Sequence, residues 1–127
     1  MKLVYIAGPY RALSHFGVER NILDAQAAAL AVIAHGKRIG EDWFPVIPHS
    51  MTYGIAQKMP MTDKFWLKGT MMLLRQCDAV VVFGRYNESD GTRAELREAV
   101  SLDFPIYIAE NGTLRESIVF NRFAEKD

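Results

Sequence analysis

Two short runs dominate what this chain can become: Leu3-Val4-Tyr5-Ile6-Ala7 near its start and Ala79-Val80-Val81-Val82-Phe83 past its middle. Both are apolar at every position, rich in β-formers, and stopped by glycine, Gly8-Pro9 after the first and Gly84 after the second. A strand with one wet face alternates apolar and polar residues. A run without alternation must be covered on both faces, as a parallel strand is between layers of helices. The helices to cover them are also present. Ile22, Ala25, Ala29 and Ile33 recur at helical spacing, with Gly36 as the expected C-cap. A second helix is predicted over 62–76, where Thr62 is the N-cap and Phe65, Trp66, Leu67, Leu73 and Leu74 supply the apolar positions. Further helices are predicted over 92–103 and 113–123.

A weaker strand, Phe44-Pro45-Val46-Ile47, in which Pro45 removes a ladder donor, and a further strand, Pro105-Ile106-Tyr107-Ile108, complete the pattern. Residues 48–62, interrupted by Pro48, Gly54 and Pro60, read as a loop with one helical turn at most. The order β-α-β-α-β-α-β-α implies right-handed parallel crossovers. The expected fold is α/β: a small doubly wound, Rossmann- or flavodoxin-like parallel sheet of about four to five strands flanked by helices. With strand order 2-1-3-4, the winding reverses between the first and third strands. Ligands bind at such a reversal, outside the strands' carboxyl ends. The loops meeting there run over 8–17 and 84–91.

Composition narrows the function. The 127 residues suit one domain over 1–127. Fifteen basic residues balance fifteen acidic ones with no basic block, so the footprint of a nucleic-acid polymer is missing. A single nucleotide remains a possible partner. One cysteine, Cys77, and no apolar stretch near the roughly 18 residues of a membrane span give the expectation of a cytoplasmic protein with no membrane partner. His15 and His35 have no metal-ligand spacing, and no motif implies a cofactor.

The first loop begins Gly8-Pro9-Tyr10-Arg11. Gly8 lets backbone approach a ligand, and Arg11 suits a carboxylate or phosphate. A plain turn with solvated Tyr10 and Arg11 reads equally well. In the second loop Ser89, Asp90, Gly91 and Thr92 stand at a helix start, where free N–H groups favour an anion. Glu95 shares the helix stripe of Ala99 and Leu102 and so points toward the sheet, where a carboxylate can serve as nucleophile or acid/base. Against this, Thr92-x-x-Glu95 matches a capping box, as does Thr113-x-x-Glu116, and spacing alone favours the cap. His49, after Pro48, is a further candidate for lining the site.

Taken together, Val4-Tyr5-Ile6-Ala7-Gly8-Pro9-Tyr10-Arg11, Cys77-Asp78-Ala79-Val80-Val81-Val82 and Ser89-x-Gly91-x-x-x-Glu95-x-x-x-Ala99 resemble the signatures of the nucleoside 2-deoxyribosyltransferase-like superfamily. The layout, with Pro48-His49 after the second strand, is closest to its DUF4406-like branch. The resemblance covers nearly the whole chain. It implies that Glu95 is a nucleophile attacking the anomeric carbon of a nucleoside or nucleoside 5′-monophosphate. It also implies that Tyr10 positions this carboxylate and that the sugar passes to another base or to water. Ser89 falls where nucleotide hydrolases of the superfamily tend to have Ser and transferases Asp, with Asp90 beside it. The resemblance further implies a homo-oligomer, as does the methionine-rich stretch 51–72. The alternatives are a non-catalytic nucleotide sensor using the same crevice and a purely structural oligomer.

Overall fold

In a computed structural model of the chain, residues 1–10 and 14–117 are described. The elements run β1 (Lys2–Ala7), α1 (His15–Arg38), β2 (Trp43–Val46), α2 (Pro48–Lys58), α3 (Asp63–Arg75), β3 (Ala79–Val82), α4 (Asp90–Ser101), β4 (Ile106–Glu110) and β5 (Thr113–Glu116), with a 3₁₀ turn at Tyr86–Glu88. One five-stranded sheet has the order β2-β1-β3-β4-β5. Its first four strands are parallel, and β5 returns antiparallel to β4. This is the expected doubly wound α/β fold.

The uninterrupted apolar runs do what their patterning requires. Val4 and Ile6 of β1 and Ala79 and Val81 of β3 pack with Ala25, Ala28 and Val32 of α1 on one face. Tyr5, Ala7, Val80 and Val82 point to the other face, against Leu74 of α3 and Leu96 and Ala99 of α4. The period of two along each strand thus divides one run between two cores. It also fixes Tyr5 on the side of α4.

Several boundaries differ from the sequence expectation. Gly36 does not cap α1; it lies inside the helix, where a Cβ would come within 3.0 Å of the Trp43 side chain, and Ile39 is the cap residue. Residues 48–58 form the helix α2 rather than a loop. Pro48 stands at its first position, where a missing N–H costs nothing, so it starts a helix instead of breaking one. α4 begins at Asp90 rather than Thr92. The helix expected over 113–123 is replaced, in its described part, by β5, because Asn111 and Gly112 both take positive φ and turn the chain back on β4. Residues 118–123 of that expectation lie outside the described residues. Pro45 sits in β2, an edge strand, where its missing donor is tolerated. No helix among the described residues is long and apolar enough to cross a membrane.

Candidate active site

Strand order turns between β1 and β3, and beyond the carboxyl ends of these two strands opens a crevice of about 960 Å³. The exit of β1 lines it with Gly8, Pro9 and Tyr10, and the exit of β3 with Phe83 and Gly84. The first turn of α4 closes one end, while α2 and α3 supply further walls through His49, Thr52, Trp66 and Thr70. The two strand exits fit together through glycine. A Cβ on Gly8 would fall 2.3 Å from the Phe83 ring, so only a bare backbone lets that ring lie across β1. Gly84 takes φ 62°, turning the chain out of β3 beside the Pro9 ring.

Glu95 lies at the bottom of this space, only 8% exposed. Its Oε2 accepts a hydrogen bond from the hydroxyl of Tyr5, itself buried. The Thr70 hydroxyl, which donates 3.2 Å to the Leu67 carbonyl, flanks the same pair. Burial pushes the Glu95 carboxyl up to about 7, against the opposing effect of the Tyr5 and Thr70 hydroxyls, which favour the ionised form. Burial first and the Glu95 charge second drive the Tyr5 phenol far upward, so it remains a proton donor.

The capping-box reading of Glu95 fails on geometry. Ser89 is the N-cap of α4, its Oγ accepting from the Thr92 amide at 3.3 Å and from the Thr92 hydroxyl at 3.0 Å. Glu95 therefore stands a full turn too deep to cap anything, and its partner is a tyrosine from β1. Thr113 and Glu116 are strand residues of β5, so that second capping box is also absent. The stripe expected to carry Glu95 is only partly buried: Ala99 is fully covered, but Leu102 is 40% exposed and ends the helix.

His49 is 6% exposed, with Nε2 lying 3.1 Å from the Gly8 carbonyl and 3.0 Å from the Pro9 carbonyl. Both are acceptors, so Nε2 carries the proton, and Nδ1 is left buried without a partner. Burial lowers the pKa of this imidazole, outweighing the two carbonyls. A neutral His49 thus ties α2 to the exit of β1. Its ring stands 5.5 Å from that of Tyr10 and 5.4 Å from that of Phe83. Tyr10 is half-buried and lines the crevice, its phenol raised by burial.

Of the residues singled out in the sequence, the crevice brings together Gly8, Tyr10, His49, Ser89, Asp90, Gly91 and Glu95. Arg11 lies outside the described residues. Sequence reasoning missed Tyr5, Thr70, Trp66 and the Asp63-Lys64 pair on α3, all of which line the same space. Strand alternation was the available signal for Tyr5, since it sets Tyr5 and Ala7 on the face that α4 covers. Nothing short of the helix packing signals Thr70. Among the described residues no three metal-ligating side chains come together.

Residues 2–109 match the family described as Domain of unknown function (DUF7768). The chain belongs to this family. The match takes in the sheet from β1 into β4, so Gly8, Tyr10, His49, Ser89, Asp90, Gly91 and Glu95 all lie within the DUF7768 domain, while β5 lies beyond it. A comparison with curated proteins finds no match.

Proposed function

We propose that this DUF7768 domain cleaves or transfers the N-glycosidic bond of a nucleoside or nucleoside 5′-monophosphate, with Glu95 as the nucleophile. One observation carries the reading: among the described residues Glu95 is the only carboxylate buried in the crevice wall, it caps no helix and pairs with no described cation, and it is aimed by a tyrosine hydroxyl. In the reaction a Glu95 oxygen attacks the anomeric carbon as the bond to the base nitrogen breaks, giving a glycosyl ester and the base anion, which takes from solvent the proton that the attacking water or second base gives up in the next step. Water or a second base then attacks the same carbon from the opposite side, releases Glu95 and restores the configuration. The ionised form is required for attack, and its hydrogen bond from Tyr5 must weaken as charge leaves the oxygen.

The rest of the crevice suits such a substrate. Its volume accommodates a nucleotide. Ser89, Asp90 and Gly91 start α4, where free backbone N–H groups favour a phosphate. Tyr10, Phe83 and Trp66 offer ring faces and edges to a base. The test is incubation with a panel of nucleosides and 5′-monophosphates, with chromatography of released base. Release by the wild-type chain, lost in Glu95→Gln, supports the reading. Binding by thermal shift across the panel with no base released would refute it in favour of the nucleotide sensor.

A further inference from the structure

Helix α1 has two apolar faces. Ala25, Ala28 and Val32 are buried against the sheet. Phe16, Leu23 and Leu30 lie nearly half a turn away around the helix and are 74%, 61% and 69% exposed. One stripe suffices to dock a helix on its own sheet, so the second is surplus to this fold. It is also straight: large residues recur every seven positions, and the positions four after each hold Arg20, Ala27 and Ala34, the spacing of a seam between helices with Arg20 turned to Asp24 at 3.7 Å. Helix α2 borders the stripe without covering it. Gln26 of α1 donates 3.3 Å to Ser50 and Tyr53 donates 3.3 Å to Glu19, while Met51 and Ile55 of α2 stay more than half exposed. Large side chains of this kind leave on the order of 100 Å² each in water, so the patch reaches several hundred Å², comparable to the largest patch a typical monomer exposes, which is often functional.

The geometry points to a second copy of this chain as the occupant, with α1 packed antiparallel on α1 about a two-fold axis near Ala27. The stripe is its own complement under that operation. Reversal about a point between Gln26 and Ala27 sets Leu23 of each copy against Leu30 of the other, and the small Ala27 side chain beside the axis lets the helices approach to about 8 Å. Glu19 and Lys37 lie on one flank of the stripe, near its opposite ends. An antiparallel two-fold brings like flanks together, which places Glu19 of each copy beside Lys37 of the other and opposes the two helix dipoles. Phe16, Leu23 and Leu30 with the bordering Met51 and Ile55 supply on the order of 500 Å² of the about 800 Å² that a standard interface takes from each partner. The proposal is independent of the chemistry assigned to Glu95.

Sedimentation of the full chain across the micromolar range tests it. The wild type is expected at twice the chain mass of 14.4 kDa, and the double variant Leu23→Glu, Leu30→Glu at the chain mass with an unchanged far-UV circular dichroism spectrum. Because both leucines are exposed, loss of folding is not expected from these changes. A second measurement fixes the geometry. Ala27→Cys should form a disulfide-linked dimer on mild oxidation, whereas Phe16→Cys should not, since antiparallel packing sets those two positions about 32 Å apart along the axis. Cys77 is buried and does not compete. A wild-type monomer at high micromolar concentration, a dimer that survives the double substitution, or cross-linking at position 16 instead of 27 would each overturn the proposal.

Discussion

Replacing Glu95 by glutamine should make the protein more stable above neutral pH and leave it nearly unchanged in mild acid. Burial holds the folded carboxyl at about 7, against 4.5 for an ordinary glutamate. Below pH 4.5 the group is protonated in both folded and unfolded chains, and its contribution is at its most favourable. As pH rises from 4.5 through 7, the unfolded chain ionises freely while the folded one resists, so stability is lost. Above pH 7 the accumulated penalty is about 3 kcal/mol, at 1.36 kcal/mol for each unit of displacement. Glutamine has nearly the same shape, still accepts from the Tyr5 hydroxyl, and carries no charge to desolvate. The stability difference between variant and wild type should therefore grow from near zero at pH 4.5 to about 3 kcal/mol at pH 8.5, on the order of 10 °C in melting temperature. His49, whose lowered pKa weakens the fold in acid, is common to both proteins and cancels from the difference. Urea denaturation of both chains at a series of pH values measures the quantity. A difference that does not vary with pH would refute the burial argument.

Four further outcomes follow from the crevice. If Glu95 is the nucleophile proposed, base release should rise with pH through about 7 in kcat/KM, because only its carboxylate form can attack; a profile flat across that range would count against it. Tyr5→Phe removes a hydrogen bond that favours the ionised form, so the midpoint of that profile should move to higher pH while Tyr10→Phe leaves it in place. Gly8→Ala should cost about 1–3 kcal/mol by denaturant titration, since its methyl group meets the Phe83 ring at a distance no contact allows. Gly91→Ala faces open space and should fold as well as wild type, yet weaken 5′-monophosphates more than the matching nucleosides in a binding titration if the start of α4 holds the phosphate.

Much of the architecture was legible because it rested on patterning that tertiary context cannot easily override. Unbroken apolar runs at β1 and β3 demanded cover on both faces, and the order of elements then located the crevice. The end of the chain was not legible in this way. Thr113-Leu114-Arg115-Glu116 has the residue types of a helix start, and only the positive-φ turn at Asn111-Gly112 and the open edge of β4 make it a strand. Helix α2 was missed because Pro48 and Gly54 look like breakers in sequence, while its docking rests on Pro48 and His49 more than on an apolar stripe. At the site, the inward aim of Glu95 could be read from helix spacing. Its partner could not, because Tyr5 lies 90 residues away and meets it only through the packing of α4 on the sheet.

The central claim is that Glu95 forms a bond to sugar. The most direct measurement is mass spectrometry of the protein quenched in acid during turnover of whichever nucleoside or monophosphate releases base, followed by peptide mapping. A mass increase equal to the glycosyl group, on the peptide containing Glu95 and absent in Glu95→Gln, is the predicted result. Release of base by Glu95→Gln at the wild-type rate, or an adduct mapped to another residue, would contradict it.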